Sequence, residues 1–375
     1  MEYTDNEQAL APRRHCSQHS CRRCPSKASL HSDYIQEVYN LREPDSFGEP
    51  ALKALFAGDF HIGAAVNPRT MKTQEQLLRH HFNSITAENE MKFESLHPLE
   101  EVYRFGAADE LVSFARKHKL AMRGHTLVWH NQTSDWLFQD GHGASVSKEV
   151  LLDRLKSHIN TVVGRYKNDI YAWDVVNEAV ADEGEALLRR SKWLDIAGDG
   201  FIAKAFEFAH EADPGALLFY NDYNESNPLK RDKIYTLLKS LLDQGVPVHG
   251  VGLQAHWNLY DPSLDEIRTA IEKYASLGLT LQLTELDMSL FRFDDRRTDL
   301  KEPPAELLEL QAERYAAVFK LLREYKDVIS AVTFWGAADD YTWLDHFPVH
   351  GRKNWPFLFD EQHRPKAAFD RLLQE

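Results

Sequence analysis

Eight short apolar stretches limit what this chain can fold into. Each runs out into polar or aromatic residues, and helical segments separate them. The stretches are LFAGDFHIGAAV (55–66), NSITAENEMK (83–92), AMRGHTLVWHNQ (121–132), IYAWDVVNEA (170–179), ALLFYNDYN (216–224), VHGVGLQAHW (248–257), LTLQLTELD (279–287) and ISAVTFWGAADD (329–340). Between them, runs such as DELVSFARKHK, EVLLDRLKSHINTVVGRY and AELLELQAERYAAVFKLLREY repeat apolar residues at three- and four-residue steps. That spacing lays one helix face on a core. Eight strand–helix units predict an α/β fold, a (β/α)8 TIM barrel. A doubly wound open sheet is the structural rival. The count of eight favours closure, as do the polar residues at nearly every strand end. A barrel gathers its site from all eight strand ends, whereas an open sheet uses the crevice at one switch point.

The body that carries these units is read as one domain, residues 34–375, preceded by a disordered tail over 1–33. The tail is polar and lacks hydrophobic period. All three cysteines, Cys16, Cys21 and Cys24, lie in it beside His15 and His19. Structural zinc usually takes two spaced ligand pairs, and only one CxxC is present, so a flexible tail is the preferred reading. A cysteine-free body needs no oxidising compartment. MEYTDNEQAL has neither a basic start nor an apolar stretch, and a cytoplasmic location is expected.

The formal net charge of −14 argues against nucleic acid, whose phosphates need a basic patch. No window approaches the roughly 18 apolar residues of a membrane span. Eight tryptophans suit a protein that stacks flat side chains on sugar rings. No GxGxxG follows a strand and no Walker motif occurs, so no cofactor is expected. The sequence leaves the oligomeric state open.

Two carboxylates stand out. Glu178 ends the fourth stretch and Glu285 the seventh, and a closed barrel sets those ends on roughly opposite sides of its mouth. Facing carboxyls are what glycosidic hydrolysis needs: one protonates the departing oxygen, and the other attacks the anomeric carbon or activates water. Either Glu alone reads more simply as a surface charge or a structural ion pair. Their company is polar and aromatic: Glu88, Asn89, Lys92, His125, Trp129, His130, Gln132, Asn221, Asp222, Tyr223, Asn224, Gln254, His256, Trp335 and Trp343. Such groups supply hydrogen bonds for hydroxyls and flat faces for sugar C–H groups. His61, His125, His130 and His256 raise a metal alternative, but their spacing fits no standard ligand pattern, and no metal is expected. Trp173 reads as core, His130 and Asp174 as support behind the site, and DEGEALLRR (182–190) as a solvated helix start.

With ITAENEMKF, RGHTLVWHNQ, WDVVNEA, NDYN, GVGLQAHW, TELD and TFWG in this order, the chain resembles glycoside hydrolase family 10, the retaining β-1,4-xylanases, over about 50–370. FPVHGRKNWPFLFDEQH is similar to its bacterial intracellular members. Thr342 stands where many members carry Ser, and the N-terminal residues have no counterpart. The resemblance implies Glu178 as acid/base and Glu285 as nucleophile. Asn177 would bind the sugar 2-hydroxyl beside the cleaved bond. Glu88, Asn89 and Lys92 would hold the next sugar on the non-reducing side. His125, Trp129, Gln132, Gln254, Trp335 and Trp343 would frame the sugar at the cleavage point. His256 would hydrogen-bond the nucleophile, Asp287 would orient His256, and Tyr223 would meet the leaving group. The implied substrate is xylan, or short imported xylo-oligosaccharides. An exo-acting xylosidase, a β-glucanase and a non-catalytic sugar-binding barrel are the alternatives. In such a mechanism Glu285 is ionised while burial and that negative charge keep a proton on Glu178, with the carboxyls about 5 to 5.5 Å apart.

Overall fold

The computed structural model describes residues 48–374. The readings made for residues 1–33, the cysteine cluster included, and the domain start at 34 lie outside the described residues. Eight barrel strands are each followed by a helix. β1 (His61–Val66) leads to α1 (Glu75–His81), β2 (Ser84–Ala87) to α2 (Gly106–His118), and β3 (Ala121–Val128) to α3 (Lys148–Arg165). β4 (Ile170–Asn177) leads to α4 (Phe201–Ala212) and β5 (Leu217–Asp222) to α5 (Pro228–Asp243). β6 (Gly250–Leu253) and a short β7 (His256–Asn258) lead to α6 (Leu264–Ala275), β8 (Thr280–Ser289) to α7 (Ala305–Glu324), and β9 (Ile329–Phe334) to α8 (Ala367–Leu372). Every pairing is parallel, β6 joins β8, and β9 returns to β1, so the sheet closes. The expected (β/α)8 barrel is the fold.

The helices sit where their periodicity puts them. In α2 the buried residues are Ala108, Leu111, Val112, Phe114 and Ala115, one stripe at helical spacing. Several starts are capped: Ser147 for α3, Asn227 with Pro228 for α5, and a Ser263/Glu266 capping box for α6. The first stretch becomes strand only at His61. Its earlier part is a turn whose Phe56 and Phe60 pack on Phe319 of α7.

Inside the barrel, small residues make room for large polar ones. A Cβ on Gly252 would fall 2.2 Å from Asn221 Oδ1, so the glycine of GVGLQ lets Asn221 lie across the interior. Trp173 is fully buried, as expected, against Gly124, where a Cβ would come within 2.1 Å of its ring. Arg123, with no exposed surface, grips Asp174 through two bonds of 3.0 and 2.6 Å and donates to Gln282 across the barrel at 2.6 Å. This bidentate pair leaves no charge inside without a partner.

Two local expectations are corrected. Residues 182–190 are not a helix start. They form a loop folded on itself through a Val180–Leu188 bridge, with Gly184 at φ 67°, and the next helix, Lys192–Ala197, begins after Ser191. Glu285 does not end its strand. β8 runs on to Ser289 because β7 pairs with its outer end, His256 opposite Asp287.

Candidate active site

Glu285 projects from β8 almost wholly buried, 5% exposed. Its Oε2 meets His256 Nε2 at 3.1 Å, and its Oε1 accepts from Asn221 Nδ2 at 2.8 Å. Burial pushes this carboxyl up, but the His256 hydrogen bond and the nearby His125 outweigh it and hold Glu285 below the usual carboxylate range. His256 Nδ1 faces Asp287 Oδ2 at 2.9 Å, and the same oxygen accepts from Trp343 Nε1 at 2.8 Å. For the imidazole, burial opposes the charge, yet Asp287 and then Glu285 raise it to about 10. Both shifts describe the same state, an imidazolium between two carboxylates. His256 thus lies within hydrogen-bond distance of both Glu285 and Asp287.

Glu178 follows β4 directly and is half-buried. Both of its oxygens accept: Oε2 from Trp129 Nε1 at 2.7 Å, Oε1 from Gln254 Nε2 at 2.9 Å. A chain of amides joins it to Glu285. Gln254 Nε2 also reaches Asn177 Oδ1 at 3.3 Å, and Asn221 Nδ2 donates to that same oxygen at 2.9 Å. Thr284 donates to Asn221 Oδ1 at 2.6 Å, which sets the orientation of the Asn221 amide and, through it, those of Asn177 and Gln254. Asn177 therefore spends its oxygen on the protein and keeps its amide hydrogens for the cleft.

Across the mouth, after β2, Glu88 accepts from Asn67 Nδ2 at 2.8 Å and from the Tyr341 hydroxyl at 3.3 Å. Lys92 Nζ bridges Asn89 Oδ1 (2.9 Å) and Gln132 Oε1 (3.0 Å) and lies 4.9 Å over the Trp129 ring. Burial pulls its amine below the ordinary lysine range, against the pull of Glu285, Glu88 and Glu178. His125 Nδ1 bonds Asp174 at 3.0 Å, and its ring meets Trp335 edge-on at 5.3 Å. Burial acts to raise Asp174, but Arg123 and His125 hold it below the usual range.

Two expected residues behave differently. His130 supports the site by packing, not by a hydrogen bond. Its Nδ1 is buried without a partner, its ring stands edge-on to Trp129 at 5.9 Å, and burial aided by Arg189 lowers it to about 4. Tyr223 has its hydroxyl committed, donating to Asp182 at 2.7 Å and accepting from Arg189 at 2.6 Å, so it offers substrate only its ring.

Sequence reasoning also missed what holds Glu178 in place. Its backbone has φ 55°, a left-handed conformation that costs a non-glycine residue roughly 1 kcal/mol or more. The following amides, Ala179 and Val180, donate to the Tyr220 hydroxyl at 3.1 and 3.0 Å, and Tyr220 donates to Asp222 at 2.5 Å. Buried Lys230 of α5 binds Val180 O (2.9 Å), Asp182 (2.6 Å) and Asp222 (3.1 Å). Burial raises Asp222 to about 7 against the attraction of Lys230. A lysine at a helix position that should face the core was the available signal. Asn221 stood among the polar company without a role; an amide on the strand beside β4 is the clue to its place between the carboxyls. Of the four histidines weighed as metal ligands, His125 and His256 flank Glu285, His130 packs on Trp129, and His61 lies at the opposite, N-terminal end of β1. Among the described residues no group of three or more His, Cys, Asp or Glu is arranged to hold a metal.

Comparisons with known proteins point to one family. The profile of glycosyl hydrolase family 10 matches residues 51–375. The chain is 62% identical over 324 residues to an endo-1,4-beta-xylanase of Geobacillus stearothermophilus, covering 86% of this chain and 98% of that protein. Endo-1,4-beta-xylanase B of Paenibacillus barcinonensis is 59% identical over 324 residues, with the same two coverages of 86% and 98%. The crystal structure of a Paenibacillus barcinonensis xylanase complexed with a conduramine derivative superposes with a TM-score of 0.86 at 58% identity, covering 87% of this chain and 99% of that one.

Proposed function

The chain belongs to glycosyl hydrolase family 10, and on that premise we propose that Glu285 is the nucleophile and Glu178 the acid/base of a retaining endo-1,4-β-xylanase. Cleavage of internal xylan bonds is the activity of a chain this similar to endo-xylanases over nearly their whole length. The observation that carries the residue roles is the amide chain Glu178–Gln254–Asn177–Asn221–Glu285, which ties both carboxyls to one centre.

The two environments suit two roles. Glu285 sits beside an imidazolium, which favours the ionised form that attacks an anomeric carbon. On Glu178 the lone pairs facing the protein already receive N–H donors, so a proton on either oxygen turns toward the cleft, where the leaving oxygen lies. Once the glycosyl–enzyme forms, Glu178 has passed its proton to the leaving oxygen, and as a carboxylate it serves as base toward water. Asn177, with its amide hydrogens free, donates to the 2-hydroxyl in a contact that strengthens in the transition state. Glu88, Asn89 and Lys92 bind the next sugar, while His125, Trp129, Gln132, Gln254, Trp335 and Trp343 frame the cleavage point.

The reading extends to short xylo-oligosaccharides met in the cytoplasm. Fractionation of the source cells tests it. None of the described helices is long and apolar enough to cross a membrane. The catalytic domain is taken as 34–375, with 1–33 as a tail. The test of the central roles is Glu285→Ala: turnover of xylohexaose should vanish while circular dichroism and the melting midpoint stay near wild type. Substantial residual turnover would defeat the assignment.

A further inference from the structure

A buried carboxylate, Glu225, stands behind His256. It belongs to the loop after β5 and is 1% exposed. Its Oε1 accepts from Trp257 Nε1 at 3.0 Å and from Ser226 Oγ at 3.4 Å, and the backbone N–H of Ala255 also stabilises its charge. Burial pushes this carboxyl up, and the surrounding donors and the charge of His256 oppose the rise. A lone indole N–H would be satisfied by any neutral acceptor. A carboxylate kept inside the protein at the cost of its hydration is a more demanding choice.

The two groups that Glu225 holds, Ala255 and Trp257, are the residues on either side of His256. Ala255 is fully buried with φ 59°, a left-handed conformation that a non-glycine residue keeps only where its surroundings fix it. Trp257 and His256 are neighbours on β7, and adjacent side chains of a strand point to opposite faces. The indole therefore reaches back to Glu225 while the imidazole reaches Glu285 and Asp287. Glu225 is itself anchored, because the buried Tyr274 hydroxyl of α6 donates to its carbonyl at 2.9 Å. On the far side the turn is tied to the strand of the nucleophile, with Asp287 N donating to Ala255 O at 3.3 Å.

We propose that Glu225 is a positioning residue of the reaction: by fixing Ala255 and Trp257 it keeps the His256 imidazolium aligned with Glu285. The inference rests on the reading of Glu285 as nucleophile. The charges around this pair come from several elements. His256 faces Asp287 and Glu285 of β8 and Glu225 of the loop after β5. Glu285 also feels His125 of β3, Asp174 of β4 and Lys92 after β2. Glu225 acts on the nucleophile through His256, and its loss leaves the other charges where they are.

The test compares wild type with Glu225→Gln, Trp257→Phe, His256→Asn and the double variant Glu225→Gln/His256→Asn on an aryl xylobioside across pH. Glutamine keeps the shape of Glu225 but removes its charge and sets a donor among donors. The expected result for Glu225→Gln is a fall in kcat/KM of about threefold to tenfold, carried by kcat, with KM within about twofold of wild type. Its acidic limb should move to higher pH, because a misaligned imidazolium opposes the burial of Glu285 less well. Trp257→Phe removes one donor of the anchor and should move the limb the same way by a smaller amount. In the His256→Asn background, Glu225→Gln should cost less than about twofold more, since it acts through a residue already removed. An acidic limb that stays in place in folded Glu225→Gln overturns the proposal, as do losses that multiply in full in the double variant; Glu225 would then only stabilise the fold. Should Glu225→Gln not fold, Trp257→Phe decides, and an unmoved limb there overturns the proposal equally. Failure of the wild type to cleave the aryl xylobioside would instead strike at the xylanase reading itself, so the two failures are distinguishable.

Discussion

Glu285 owes its ionisation chiefly to His256, with His125 adding to it, and the dependence on His256 can be measured. His256→Asn removes both the charge and a charge-assisted hydrogen bond, a contact type worth roughly 1.5 to 3 kcal/mol. Burial then acts on Glu285 with less opposition, its carboxyl shifts upward, and the acidic limb of kcat/KM should move to higher pH with about a tenfold or greater loss of activity below it. A limb that stays in place would contradict the role given to His256. The same substitution carries a stability signature. Folding raises His256 from 6.5 to about 10, so its contribution is complete below the unfolded value and is lost as pH climbs through about 10. The gap in unfolding free energy between wild type and variant should therefore be wide at neutral pH and close above 10. At this scale most of the site was legible: Glu178, Glu285, His256 and Asp287 could be placed from short motifs at strand ends. The second job of Trp129, its hydrogen bond to Glu178, was not legible, because it depends on how the loop after β3 turns toward β4. His130 and Tyr223 were assigned by position, while their actual contacts depend on Asp182 and Arg189 in a loop whose path the sequence hides.

The strand that carries the acid/base is held by its neighbours in the barrel and by one helix. β4 is rigid because its valines are buried on both sides, and its last residue, Asn177, pairs with Asn221 of β5. Beyond that point the chain takes an unfavourable conformation, and Tyr220 and Lys230 supply the acceptor and donors that fix it. Tyr220→Phe leaves two amides short of their acceptor, at a cost of about 1 to 3 kcal/mol. It should also let Glu178 drift. Aryl xylosides with poor leaving groups, which need the acid, should slow far more than those with good leaving groups, which do not. Uniform slowing across the series would mean that Tyr220 matters only for stability. The misreading of 182–190 belongs to this scale. EALLRR has helical composition, but Asp182 and Arg189 are drawn to Lys230, Glu178 and Tyr223, and Gly184 turns the chain back. Local propensity lost to contacts between residues some fifty positions apart. The extension of β8 was hidden for the same reason, since its partner β7 is set by the tertiary turn after β6.

The described residues form a closed barrel whose chemistry is confined to one end, and the count of eight strand–helix units made this legible from the start. What no pattern of periodicity could show is the polar line through the interior, from Arg123 and Asp174 through His125 to the ring of groups around Glu285. Inward-facing residues come from strands far apart in sequence, and only closure brings them together. Closure is also what lets Glu178 and Glu285, on strands separated by two others, act on one anomeric carbon. The most direct measurement of that claim is covalent trapping with an activated 2-deoxy-2-fluoro-xylobioside, whose fluorine slows both formation and breakdown of a glycosyl–enzyme while its good leaving group keeps formation the faster step. Intact mass and peptide mapping should show one sugar adduct, on Glu285, released on adding a xylo-oligosaccharide acceptor, with the β-anomer as the first product of normal turnover. A label on another residue, or an inverted product with no adduct, contradicts the account.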